Sequence, residues 1–185
     1  MPDPPLTPAT GGMSIDATAL NPGDVIVTTS RGAVAAVIEA VTSGSVSHVM
    51  VYVGDDNIVE AIREGVREVS LTDALNGATL AVAFRRTGIT SSAIDTLTAN
   101  VRSAVGDNYN YWGVIQQLLT EFSGSSWHVP ISTDSFYCSQ LILTAFASTG
   151  FPLLSSGNVT AWPTNLIPTD DFGGSLLEYV GHLVS

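Results

Sequence analysis

The chain has 185 residues, 45% hydrophobic and 12% charged, which is enough for one domain with a real core and far from a disordered composition. Its formal net charge is −11 and its six basic residues are all arginines, which argues against nucleic-acid phosphate or an anionic membrane surface as a partner. A single cysteine excludes an internal disulfide and a cysteine-rich zinc site, and no apolar run approaches the length of a membrane span.

Residues 1–20 read as a flexible arm. The first twelve are rich in Pro and Thr and lack the basic start and apolar core of a signal peptide. Residues 21–185 read as a single domain, without repeats, low-complexity tracts or a dividing linker. Asn21-Pro22-Gly23-Asp24 is a turn, and 25–29 a short β-branched strand. Residues 32–42 carry a helical stripe of Ala33, Val34, Val37, Ile38 and Val41, ended by Ser43-Gly44-Ser45.

The clearest strand is 47–53, turned by Gly54-Asp55-Asp56 onto a partner at 57–62. A three-residue loop pairs Val53 with Asn57 and sets Val49 and Val51 opposite Ala61 and Val59 on an apolar face. His48, Met50 and Tyr52 then share the other face with Ile62, Glu60 and Ile58. His48 and Glu60 become diagonal neighbours, with Cα atoms about 7–8 Å apart. A two-residue loop would put them on opposite faces, because a one-residue slip turns every side chain over.

Further on, 66–71 is a strand, 72–75 a helical turn and 79–85 another strand. Residues 91–105 form a helix with Ile94, Leu97, Val101 and Val105 inward, and 106–111 a polar-aromatic loop. A second helix spans 112–122, and a Ser/Gly loop with Trp127 and His128 fills 123–133. A third helix runs from about 135 to 149; 151–165 is loop-rich, 168–172 a helix start with acidic residues, and 176–184 a last strand.

That third helix carries Cys138. Counted from it, Leu141, Ile142, Ala145 and Phe146 fall at the steps of a buried face. Asp134 and Ser135 suit an N-cap, which places Cys138 in the first turn, where unpaired N–H groups and the helix dipole favour a thiolate. A lone cysteine is more often a small buried hydrophobe. The odds change if a histidine, itself held in one tautomer by a third polar group, reaches the sulfur. Of His48, His128 and His182, only His48 has a carboxylate, Glu60, within reach on the same face. The three dispersed histidines give no metal-ligand spacing, and neither metal nor cofactor is expected.

The ordered set GDVIVT (23–28), SHVMVYVGD (47–55), IVEAI (58–62), GVREVSL (65–71), GDNYNYWG (106–113), YCSQLI (137–142) and PTDDF (168–172) resembles the circularly permuted branch of the NlpC-type papain-like hydrolases, the YiiX-like group. The similarity spans nearly the whole chain from residue 22. Gln140 stands where that family often has Glu. The resemblance implies an α+β, permuted papain-like fold: an antiparallel sheet or barrel packed on helices, with the nucleophile at the N-terminus of a buried helix. It implies Cys138 as nucleophile, His48 as general base and later acid, and Glu60 as the group that orients the imidazole. The oxyanion would be held by the Cys138 backbone N–H and a second donor, for which Tyr137, Tyr109 and Tyr52 are candidates.

The activity implied is cleavage of an amide bond through an acyl-enzyme, on a peptidoglycan peptide stem or another acyl substrate. Such an enzyme fits a phage lysis factor or an exported antibacterial toxin acting at the cell envelope, with an immunity or delivery protein as partner. A lipid acyl hydrolase or acyltransferase is the alternative, because the fold also resembles the lecithin–retinol acyltransferase group; Met50, Ile58, Ile62 and 151–163 would then line an apolar cleft. A binding module on an inactive scaffold is the third reading, and the intact Cys-His-Glu set speaks against it.

Overall fold

A computed structural model describes residues 13–30, 48–62, 64–106, 134–154 and 176–183. The elements are β1 (Ser14–Ile15), β2 (Val25–Ser30), β3 (His48–Gly54), β4 (Asn57–Ile62), β5 (Gly65–Ser70), α1 (Leu71–Leu75), β6 (Ala78–Arg86), α2 (Ser91–Ser103), α3 (Asp134–Ser148) and β7 (Leu177–Leu183). The helices expected at 32–42 and 112–122, the loop 123–133 and the helix start at 168–172 lie outside the described residues.

The seven strands form one sheet in the order β1-β7-β6-β2-β3-β4-β5. Every pairing is antiparallel except β1 with β7, which is parallel. The sheet is therefore mixed, and among the described residues no pairing joins its two edge strands into a barrel.

Alternation of apolar side chains divides the core into two layers. Val25, Val27, Val49, Val51, Val59, Val82 and Phe84 pack with Leu97 and Val101 of α2 and with Leu141, Ile142 and Phe146 of α3. On the other face Ile26, Met50, Ile58 and Ala83 pack with Leu71 and Leu75 of α1 and with Leu20. The β-branched run of β2 and β3 suits strands buried on both faces. The side chains of Ser70 and Thr90 cap α1 and α2, accepting from the N–H of Asp73 and Ala93.

Four details depart from the sequence reading. Residues 13–20 do not belong to a free arm: Ser14 and Ile15 pair with His182 and Leu183, and Leu20 is buried. The β3–β4 hairpin closes through the two residues Asp55 and Asp56, both at positive φ (52° and 57°), the geometry of a type I′ turn. Gly54, rather than Val53, therefore faces Asn57, and an irregularity between Tyr52 and Gly54 takes up the extra residue. The bulge cancels the slip, so Val51 still faces Val59 and Tyr52 faces Ile58, as the longer loop had implied. Finally, α2 turns Ala93, Leu97, Val101 and Ala104 inward, whereas Val105, past the helix end, is exposed.

Candidate active site

His48 opens β3, paired with Thr28 of β2. Glu60 lies in mid-β4, and the preserved hairpin register brings the two together: His48 Nε2 is 2.6 Å from Glu60 Oε2. Glu60 is almost wholly buried (4%), while the His48 side chain keeps 23% of its surface exposed. With Nε2 occupied by the carboxylate, Nδ1 is the nitrogen left for the Cys138 side chain, which is also hydrogen-bonded to His48. Cys138 itself is fully buried. The structure thus brings three of the expected residues, Cys138, His48 and Glu60, into one row.

Burial opposes a charge on His48. The negative charge and hydrogen bond of Cys138 outweigh it, with help from Glu60, and the imidazole is pushed up to about 10. Burial likewise opposes a charge on Glu60, yet His48 and then Arg67 hold its carboxyl below the usual range.

Arg67 went unnoticed in the sequence. It lies on β5 directly opposite Glu60, because Ile62 pairs with Gly65 across the β4–β5 turn. Its Nε donates to Glu60 Oε1 at 2.8 Å, and Nη2 approaches the same oxygen at 2.6 Å. The signal that would have found it is register: two hydrophobic-alternating runs joined by a tight turn place opposite charges face to face.

The helix that carries Cys138 begins earlier than expected. In α3, Asp134–Ser148, Cys138 is one full turn from the start. Cys138 thus stands just past the first turn. The helix end weakens as an influence on the sulfur, since the dipole effect fades beyond that turn. The buried stripe of Leu141, Ile142, Ala145 and Phe146 is as read from the sequence.

Tyr52 does not join the row. Its hydroxyl accepts from the Asp56 N–H at 3.2 Å, at the opposite end of β3 and roughly 13 Å along the strand from His48. Tyr109 and the side chain of Tyr137 lie outside the described residues, as does His128. His182 is buried in β7, its Nδ1 2.5 Å from the Tyr179 hydroxyl, and β6 and β2 separate that strand from β3.

A family model described as a permuted papain-like amidase enzyme, YaeF/YiiX, C92 family, matches residues 19–157. The chain is 28% identical over 199 residues to the probable lipoprotein peptidase YaeF of Escherichia coli strain K12, covering 91% of this chain and 73% of that protein. Its fold is similar to the crystal structure of metalloprotein yiiX from Escherichia coli O157:H7, with a TM-score of 0.51 and 19% identity over 73% of this chain and 69% of that one. Among the described residues of this chain, no three His, Cys, Asp or Glu side chains are grouped to hold a metal ion.

Proposed function

This chain belongs to the permuted papain-like amidase family, and from that premise we propose that Cys138 is its nucleophile, His48 its proton carrier and Glu60 the group that orients the imidazole. The protein is a papain-like cysteine hydrolase of the peptidase or amidase type. The observation that carries the assignment is that the His48 imidazole meets both the Glu60 carboxylate, at 2.6 Å, and the Cys138 side chain.

The electrostatics supply a sequence of proton movements. In the resting state a Cys138 thiolate faces a His48 imidazolium, and each charge stabilises the other. The thiolate attacks the amide carbonyl, and the sulfur's negative charge passes to the carbonyl oxygen of a tetrahedral intermediate. This collapses to the thioester as the C–N bond breaks and the amine leaves with a proton from His48. The charge on sulfur was the leading reason for the raised basicity of His48. Its loss makes the imidazolium a stronger acid at the step where the departing amine needs a proton. The neutral imidazole then takes a proton from water, which hydrolyses the thioester and restores the ion pair. Glu60 holds Nε2 throughout and keeps the ring in the tautomer that presents Nδ1 to the sulfur.

An amide substrate is supported by the family's description and by the word peptidase in the name of the YaeF relative. A peptidoglycan peptide stem is the substrate we assign within that class. Of the residues on which the lipid alternative rests, Met50 and Ile58 are fully buried in the core layer against α1. The test is to incubate the protein with peptidoglycan-derived peptides and, separately, with phospholipid vesicles, and to trap adducts for mass spectrometry. A peptide acyl group on Cys138, absent from Cys138→Ala, is expected; fatty acyl transfer, or turnover that survives in Cys138→Ala, would overturn the reading.

A further inference from the structure

We propose that Arg67 is a positioning residue of this site: it grips Glu60 from the side opposite His48 and keeps that carboxylate ionised, so that the working row is Cys138–His48–Glu60–Arg67. The inference rests on the catalytic reading above and adds a fourth member to it.

The two oxygens of Glu60 are divided between two cations. Oε2 faces His48 and Oε1 receives both contacts from Arg67. Nothing in strand structure requires this. An arginine on an edge strand, with 49% of its side chain exposed, is free to extend into solvent. Here it folds back onto a carboxylate that is almost fully buried.

The row alternates in sign: thiolate, imidazolium, carboxylate, guanidinium. Without the guanidinium it would carry a net negative charge around a buried carboxylate, which burial already pushes toward protonation. At 2.6 Å from the imidazole, a more basic carboxylate competes for the Nε2 proton. If that proton moves to Glu60, the orienting charge disappears. Arg67 prevents this by holding the negative charge on the carboxylate, while its exposed half stays in water. Among the described residues the charged groups meeting here are Cys138 from α3, His48 from β3, Glu60 from β4 and Arg67 from β5. Glu68 faces Arg102 of α2 instead.

The experiment is the rate of Cys138 alkylation by iodoacetamide between about pH 4 and 9, in wild type, His48→Ala, Arg67→Gln and Arg67→Lys. Arg67→Gln removes the charge and the Nη2 contact but keeps a polar group at about the position of Nε, and the half-exposed position tolerates it. The acid limb of the profile should move up by about 1 pH unit, since a nearby cation lowers a carboxylate by roughly 1–3 units. Arg67→Lys, which keeps the charge but not the fork, should restore most of that shift. A purely structural arginine would change stability or overall rate and leave the limb where it was. Superimposable limbs in wild type and Arg67→Gln, with His48→Ala strongly impaired, would overturn the role of Arg67 alone. A wild-type profile indifferent to His48→Ala would overturn the catalytic reading and this inference together.

Discussion

Glu60 meets His48 at one oxygen and Arg67 at the other, and His48 meets both Glu60 and the Cys138 side chain. That reciprocity has a consequence for stability against pH. His48 is raised from 6.5 to about 10, so its contribution is complete below 6.5 and is lost as pH rises through about 10. Glu60 is lowered from 4.5, so its contribution is complete above 4.5 and is lost as pH falls through the lowered value. Both are complete only between 4.5 and 6.5. The melting-temperature difference between wild type and a His48→Ala/Glu60→Gln double variant should peak in that window and shrink toward alkaline pH. A difference that is flat across pH would contradict the pairing. At this scale Cys138, His48 and Glu60 were legible because the chain has one cysteine and because one hairpin register fixes the other two. Arg67 needed a second register, β4 on β5. Tyr52 misled because a phenol hydroxyl has no spacing signature, and its partner is a backbone N–H in a turn.

The β3–β4 hairpin shows how an element can be right for a different reason. A three-residue loop was inferred from Gly54-Asp55-Asp56; the chain instead makes a tight turn on two aspartates and places Gly54, at φ 94°, beside a bulge. Both routes give the same face to His48 and Glu60, because the bulge adds back the residue that the turn removes. The N-terminal segment was misjudged because two-residue β1 is too short to show alternation. It is held from β7: the His182 N–H donates to the Met13 carbonyl at 2.7 Å, and the Met13 N–H donates to the Tyr179 hydroxyl at 3.0 Å. Gly181 makes that approach feasible, for a Cβ there would stand 2.6 Å from Ile15 Cγ2 and 2.9 Å from the Met13 carbonyl. Gly181→Ala should therefore lift β1 off β7 at a cost of about 1–3 kcal/mol. Amide exchange at Ile15 and His182 should accelerate while β2 and β3 keep their protection. Unchanged exchange at those two amides would show that β1 is not seated through Gly181.

For the molecule as a whole, the acidic balance takes a definite form. Arg67, Arg85 and Arg102 each face a carboxylate, and Arg86 donates to the carbonyls of Pro152 and Thr87. These arginines are engaged internally and form no free basic face among the described residues. The two-layer core was readable from alternation in β2, β3 and β4 and from the stripe on α3, since burial selects side chains at the period of the element. The strand order was not readable, because it depends on contacts between β6 and both β2 and β7 that lie far apart in sequence. The contact of the Cys138 side chain on α3 with the His48 imidazole on the hairpin is the feature on which the functional account stands. Its most direct test is the titration of the His48 ring by NMR in wild type and in Cys138→Ala, with the resonance assigned by its absence from His48→Ala. The account predicts an imidazolium that persists to about pH 10 in wild type and titrates at distinctly lower pH once the sulfur is removed. A ring that titrates near 6.5 in both proteins would contradict the ion pair and the mechanism built on it.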